Sequence, residues 1–287
     1  MRIGNLFLEH SKVLESKICN YLNYLSDSEY IAEIVTSPGA VSTLINLLYS
    51  NDNEIIGDTC LFIRDFVLSC SRNDTCKQAW DSELESAIIP ILEYLLLAEN
   101  HFIRTSVIYT LGKICSYDSL PVMLDAFYQL RDRDPILLPR FVGELFWLGV
   151  DNPWEILESM VASSQYTTRW AVAEILGKFS YDSQDGEENF LILHKFYTQL
   201  RLDAYPLVRA QAEYTYQILD LQRQNYRENL SKSDYRKQRK EIKKLEPSLS
   251  FSRMESQFSN YIYQHSLFKY TIQELQSFIV CCLAEVS

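Results

Sequence analysis

Apolar positions recur along much of the chain at the spacing of an amphipathic helix. Arg104, Val107, Ile108, Leu111, Ile114 and Cys115 share one helical face, and Met123, Leu124, Phe127 and Leu130 share one face of the segment after it. Towards the end, Phe258, Tyr261 and Ile262, then Ile272, Leu275, Phe278 and Ile279, mark two closing helices beyond Pro247. Glycine and proline number eight each, too few turn formers for a many-stranded barrel or sandwich. The pattern predicts an all-α chain of long helices joined by short loops, and a hydrophobic content of 47% suffices for a continuous core.

The chain also repeats itself. RTSVIYTLGKICSYD from Arg104 aligns with RWAVAEILGKFSYD from Arg169, so that Val107 meets Val172 and the two LGK tripeptides coincide. Downstream, the run from Phe127 to Pro135 is echoed from Phe196 to Pro206, the polar stretch Ser183–Glu188 absorbing the change in spacing. Pro135 and Pro206 each open a further segment with its own arginine, Arg140 and Arg209, which gives four related helical hairpins over about 100–222. A single amphipathic hairpin cannot bury both faces. Stacked hairpins can, so the expected architecture is a solenoid.

The motif [V/I]-R-x-x-[A/V]-x-x-x-L-G-K-[I/F] resembles the second helix of HEAT repeats, in the form also seen in phycobilin lyases. That family places an Asp six residues before the Arg and links repeats through these side chains. Asp134/Arg140 and Asp203/Arg209 keep the spacing, whereas Arg104 and Arg169 have Ala98 and Ser163 there. Upstream, SPGAVSTLINLLYSNDNEIIGDTCLFIRDF over 37–66 and the apolar run Ile88–Leu97 resemble armadillo repeats. The resemblance implies a right-handed α-α superhelix, with capping helices over 1–36, repeats over 37–222, a basic extension over 223–246 and C-terminal capping helices over 247–287. It implies little about function, because the fold serves many.

Charge narrows the partners. The net charge of -11 repels nucleic-acid backbone and anionic membrane as a whole and favours a neutral or basic protein partner. One stretch departs from this: 223–244 carries nine basic residues against three acidic, among them Arg236, Lys237, Arg239, Lys240, Lys243 and Lys244. It reads as a solvated helix or linker, a latch on the acidic body, or a phosphate-contacting arm with Tyr226 and Tyr235 for stacking. No stretch reaches the length and apolarity of a membrane helix, and MRIGNLFLEH meets Glu9 and His10 too soon for a signal peptide, so the expected setting is cytoplasmic. The seven cysteines, at 19, 60, 70, 76, 115, 281 and 282, form no C-x-x-C pair and read as small core residues, the vicinal Cys281-Cys282 included.

Catalytic patterns are not found. His10, His101, His194 and His265 form no H-x-x-x-H or H-E-x-x-H, and none precedes Glu as in the HEAT-type deoxyhypusine hydroxylases, so neither a metal nor another cofactor is expected. Phosphate-loop, nucleophile-elbow and dinucleotide motifs do not occur, and Gly112 and Gly177 are better explained by close helix packing. Asp151 and Glu174 stand where importin-type armadillo proteins show Asn after Trp. Two catalytic relatives stay open by resemblance: phycobilin lyases, and HEAT-like alkylpurine DNA glycosylases, for which Trp147, Trp170 and Asp151 would flank the base. The expectation is a non-enzymatic scaffold that holds a protein on the face formed by its second helices. The candidate contacts are Tyr109, Lys113, Glu144, Trp147, Trp170, Glu174, Lys178, Glu213, Tyr214 and Gln217. Each tryptophan has an alternative place, packed between repeats.

Overall fold

A computed structural model describes residues 13–14, 16–18, 28–181, 186–265 and 269–286. Every regular element among them is helical. The first group is α1 (Ser28–Val35), α2 (Ala40–Leu48), α3 (Asn53–Cys70), α4 (Asp74–Ala79), α5 (Glu85–Leu95), α6 (His101–Ile114) and α7 (Leu120–Leu130). There follow α8 (Leu138–Trp147), α9 (Pro153–Val161), α10 (Tyr166–Leu176), α11 (Gly186–Leu200) and α12 (Pro206–Glu228), then α13 (Lys232–Lys243), α14 (Phe251–Gln264) and α15 (Ile272–Val286). Most of the expected N-terminal capping region, with His10 and Cys19, lies outside the described residues, as do 183–185 of the polar stretch.

The helices start and stop where local chemistry dictates. Asn100 caps α6 by accepting the backbone N–H groups of Phe102 and Ile103 at 2.8 and 3.2 Å, and Asp52, Asn73, Ser231 and Ser250 cap α3, α4, α13 and α14 in the same manner. Such a cap contributes about 1 kcal/mol by satisfying donors that the helix leaves open. Pro153 and Pro206 stand in the first turns of α9 and α12, where the missing N–H costs nothing. Cys115 and Asn229 end α6 and α12 in the left-handed region, at φ 56° and 50°.

The chain divides into two compact units, one comprising 1–128 with 144–150 and the other 129–143 with 151–287, a division that falls inside the expected 37–222 repeat region. In the first, α3 lies along α6, and the Thr110 hydroxyl donates across to the Cys60 carbonyl at 2.8 Å. Phe62, Ile63, Phe66, Leu92, Val107 and Leu111 are buried in that unit's core. In the second, α10 packs on α12 and on α14, with Trp170, Leu176, Val208, Ala212, Phe251 and Phe258 all buried. Among the described residues no single helix is long and apolar enough to cross a membrane. The pair α1 and α2 is bent by 97° and has the length and apolarity of a span only when joined, and Ile31, Ile34, Val35, Leu44, Leu47 and Leu48 within it are buried.

The repeat arginines use a device that the Asp-before-Arg pattern does not describe. Arg104 Nη1 donates to the carbonyls of Ala98 and Glu99 at 2.6 and 2.9 Å, Arg169 Nη1 to that of Ser163 at 2.7 Å, and Arg209 Nη1 to those of Asp203 and Ala204 at 2.5 and 2.8 Å. Each arginine therefore holds the backbone six residues earlier. Any side chain may stand there, since every residue supplies a carbonyl, and this is why Ala98 and Ser163 suffice. The Asp203 carboxylate receives Arg169 Nε and Nη2 at 2.5 and 3.0 Å, a link between hairpins. The carboxylate of one hairpin thus pairs with the arginine of the hairpin before it.

Candidate functional site

The expected contact residues fall into two groups, one in each unit. In the first unit, Tyr109 and Lys113 lie one turn apart on α6, and Glu144 and Trp147 lie one turn apart on α8. The Lys113 ammonium stands 5.5 Å from the centroid of the Tyr109 ring, 5.9 Å from that of Trp147 and 3.7 Å from the Glu144 carboxylate. Arg64, from α3, covers the Tyr109 ring at 4.9 Å. The Trp147 indole N–H donates to Cys115 Sγ at 3.4 Å, while 70% of the residue remains exposed. The result is a row of alternating cations and rings, Arg64, Tyr109, Lys113 and Trp147, held by cation–π attraction.

Gly112 is what lets the row form. A Cβ there would overlap the Glu144 carboxylate, so glycine leaves room for that buried acid beside Lys113. Glu144 was an expected contact; it is 5% exposed and acts as an internal anchor for Lys113 instead. Sequence reasoning did not find Arg64 or Cys115. Arg64 lies in the FIRDF run that closes the armadillo-like stretch, whereas Cys115 carried no signal beyond its place after LGKI.

In the second unit the expectation for Trp170 is overturned. The residue is 0% exposed and meets Phe251 edge to face at 5.3 Å, because α14 packs against α10 and covers it. Its indole N–H finds no acceptor among the described residues. A covered indole cannot flank a flipped base, so the glycosylase-type arrangement loses one of its two aromatics. Glu174 is half-buried and accepts the Gln211 amide N–H at 3.2 Å; burial raises its carboxyl above the ordinary range, with Lys178 opposing. Glu213 is tied to Arg201 and accepts the Gln217 amide at 2.8 Å, so both are already engaged inside the unit. Tyr214 is half-buried and Lys178 exposed. Gly177 again answers a packing need, a Cβ there standing 2.6 Å from Thr215 Cγ2.

Other expected groups resolve as follows. Cys60 and Cys76 are buried, and burial pushes the Cys60 thiol up to about 12, which keeps it inert. Cys115 and Cys281 are exposed, contrary to the core reading. Cys281 lies about 200° round α15 from buried Ile279, which turns it outward. His101 is buried, and His194 stacks with Phe190. Among the described residues no group of three His, Cys, Asp or Glu side chains could hold a metal ion. All six expected residues of the basic patch are exposed on or just after α13. Between α12 and α13 runs an open cleft of about 580 Å³, lined by Asp220, Leu221, Glu228, Lys237 and Ile242 among others.

No family model matches the chain, and no curated protein matches it. Among solved structures it is similar to two engineered proteins, targets of the Northeast Structural Genomics Consortium, at 13% and 15% identity. Each match covers 74% of this chain, with 90% and 89% of the engineered chains covered and a TM-score of 0.38.

Proposed function

We propose that the chain is a HEAT-type α-α solenoid that works as a non-enzymatic scaffold, holding a protein partner on the row Arg64, Tyr109, Lys113 and Trp147. The repeat reading rests on the arginines at 104, 169 and 209, each bonded to the backbone six residues earlier, and on the Arg169–Asp203 pair between successive hairpins. The binding reading rests on Trp147, an indole 70% exposed yet fixed by Cys115 and Lys113. An exposed aromatic of this size held in one place has its conformational entropy already spent, which suits it to anchor an interface. Acidic charge over the chain favours a neutral or basic partner, and the scattered free cysteines suit a cytoplasmic setting.

The test is an affinity capture from native lysate with wild type beside Trp147→Ala, both checked for helicity. One stoichiometric protein retained by wild type and lost by the variant supports the scaffold. Equal recovery on both baits removes Trp147 as the anchor, and recovery of a chromophore on wild type would favour the bilin-type alternative.

A further inference from the structure

The basic helix α13 is not absorbed by the scaffold reading, and its geometry separates its charges by face. Asp234, Lys237, Gln238, Glu241 and Ile242 face α12 across the cleft. Successive residues turn about 100°, so Lys232, Arg236, Arg239 and Lys243 fall within about 60° of one another on the opposite face. The stripe runs about 16 Å along the helix at the 1.5 Å rise. All four side chains are exposed.

No ion pair among the described residues engages them. The arginines at 131, 169, 201, 209, 223 and 227 all bond a carbonyl or pair with a carboxylate. Lys244, just past α13, pairs with Glu241 at 2.5 Å. The four stripe cations have no ion-pair partner among the described residues, although acid predominates in the chain. Lys232 with Arg236, Arg236 with Lys240 and Arg239 with Lys243 also repel one another at one-turn spacing, a cost that a bound polyanion would remove.

The four-cation stripe includes no aliphatic side chain and is flanked by one half-exposed aromatic, Tyr235, a turn before Arg239, and this selects among anionic partners. A protein interface draws its affinity from buried aromatic or aliphatic anchors, and an interfacial membrane helix from an apolar face. A nucleic-acid backbone needs neither, because release of its condensed counterions supplies the affinity. A duplex would carry its dense charge against the carboxylates around α13, whereas a single strand can follow one helix. We propose that Lys232, Arg236, Arg239 and Lys243 form a phosphate-tracking site for single-stranded nucleic acid.

The experiment measures fluorescence anisotropy of a labelled oligouridylate of about 16 nucleotides with the full chain over a range of salt concentrations. Four phosphate contacts predict a slope of about -3 in log K against log salt. The variant Lys232→Gln/Arg236→Gln/Arg239→Gln/Lys243→Gln should bind at least tenfold more weakly with a slope near zero and unchanged circular dichroism. Arg236→Gln/Arg239→Gln should halve the slope, and this variant decides the matter if the fourfold one loses helicity. Vesicles of phosphatidylserine and phosphatidylcholine, and polyglutamate, serve as the other anions. The site is overturned if wild type does not bind the oligouridylate, if the variants bind it as tightly, or if vesicles or polyglutamate bind the stripe more tightly. Trp147→Ala should leave oligouridylate binding intact, so this result is independent of the scaffold test.

Discussion

Removing the arginine of the Arg169–Asp203 pair tests the repeat architecture most directly. Arg169 and Asp203 are 14% and 6% exposed at their side chains, and the guanidinium meets both carboxylate oxygens while a further N–H holds Ser163 O. Arg169→Met keeps the stem and deletes all three bonds. Asp203 would keep the Tyr205 N–H and the more distant Arg209 charge but lose its main counter-ion inside the unit. Breaking a buried pair from one side costs about 3–5 kcal/mol, mostly because an uncompensated charge is left behind. Asp203→Asn leaves the Arg169 guanidinium without its carboxylate, but that cation is the more exposed partner and can still donate to the amide oxygen and to Ser163 O, so the cost should be smaller, about 1–3 kcal/mol. The double variant should be more stable than the sum of the two losses implies by about 1–3 kcal/mol.

Acid provides the second arm. Burial alone would raise the Asp203 carboxyl, but the Arg169 hydrogen bonds, the Tyr205 N–H and the charges of Arg169 and Arg209 hold it below its ordinary value. A carboxylate depressed in the folded state contributes stability above its unfolded pKa of about 3.9, and loses it as pH falls through the lower folded value. The gap between wild type and Asp203→Asn should therefore be constant from neutrality down to about pH 4 and close below it. Urea unfolding followed by circular dichroism reads both arms. An Arg169→Met midpoint equal to wild type at neutral pH, or a gap that widens with acid, would refute the argument.

Other substitutions separate packing from recognition. Trp170→Ala should cost about 3–5 kcal/mol in urea unfolding through the cavity it opens against Phe251, and Trp170→Phe distinctly less because it also sheds an unpaired indole N–H. Trp147→Ala, at an exposed site, should change stability by less than about 0.5 kcal/mol in the same assay. Glu174→Gln should stabilise the protein at neutral pH, because the raised carboxyl of Glu174 disfavours its charged form in the fold; that advantage should vanish as pH falls to about 4.3, where the unfolded carboxyl also protonates. Gly112→Ala should lower the unfolding midpoint by forcing the Glu144 carboxylate away from Lys113.

Helix identity was legible because it depends on local periodicity, and the close packing at Gly112 was legible because a glycine within a helix otherwise costs about 1 kcal/mol; Gly177 stands just past the end of α10, where the helix reading of LGK did not place it. Which side chains of the proposed face are exposed was less legible, and the two tryptophans show why. Trp147 closes α8 and is exposed, whereas Trp170 lies in the first half of α10 and is covered. The cover on Trp170 includes α14, whose Phe251 reaches it from 81 residues further along the chain. No pattern within a repeat registers a contact of that sequence separation. The Arg169–Asp203 pair was legible only as a link between repeats, since the spacing marks Asp203 and the arginines but does not say which arginine of which hairpin the carboxylate reaches.

The same distinction explains why α13 could be read by its charge and not by its role. A run of lysine and arginine records only that the segment avoids the core, and a solvated linker, an intramolecular latch and a phosphate arm all satisfy that condition. Arrangement by face separates them. A latch would turn its cations towards acid of its own unit, yet Lys237 alone of the basic residues lines the cleft against Asp220 and Glu228. A linker gains nothing from grouping like charges on one stripe, since the repulsion between them opposes its own helix. The stripe on the face away from the cleft is therefore the part of the segment that a linker leaves unexplained, and the salt dependence of oligouridylate binding is the quantity in which the remaining reading differs from the other two.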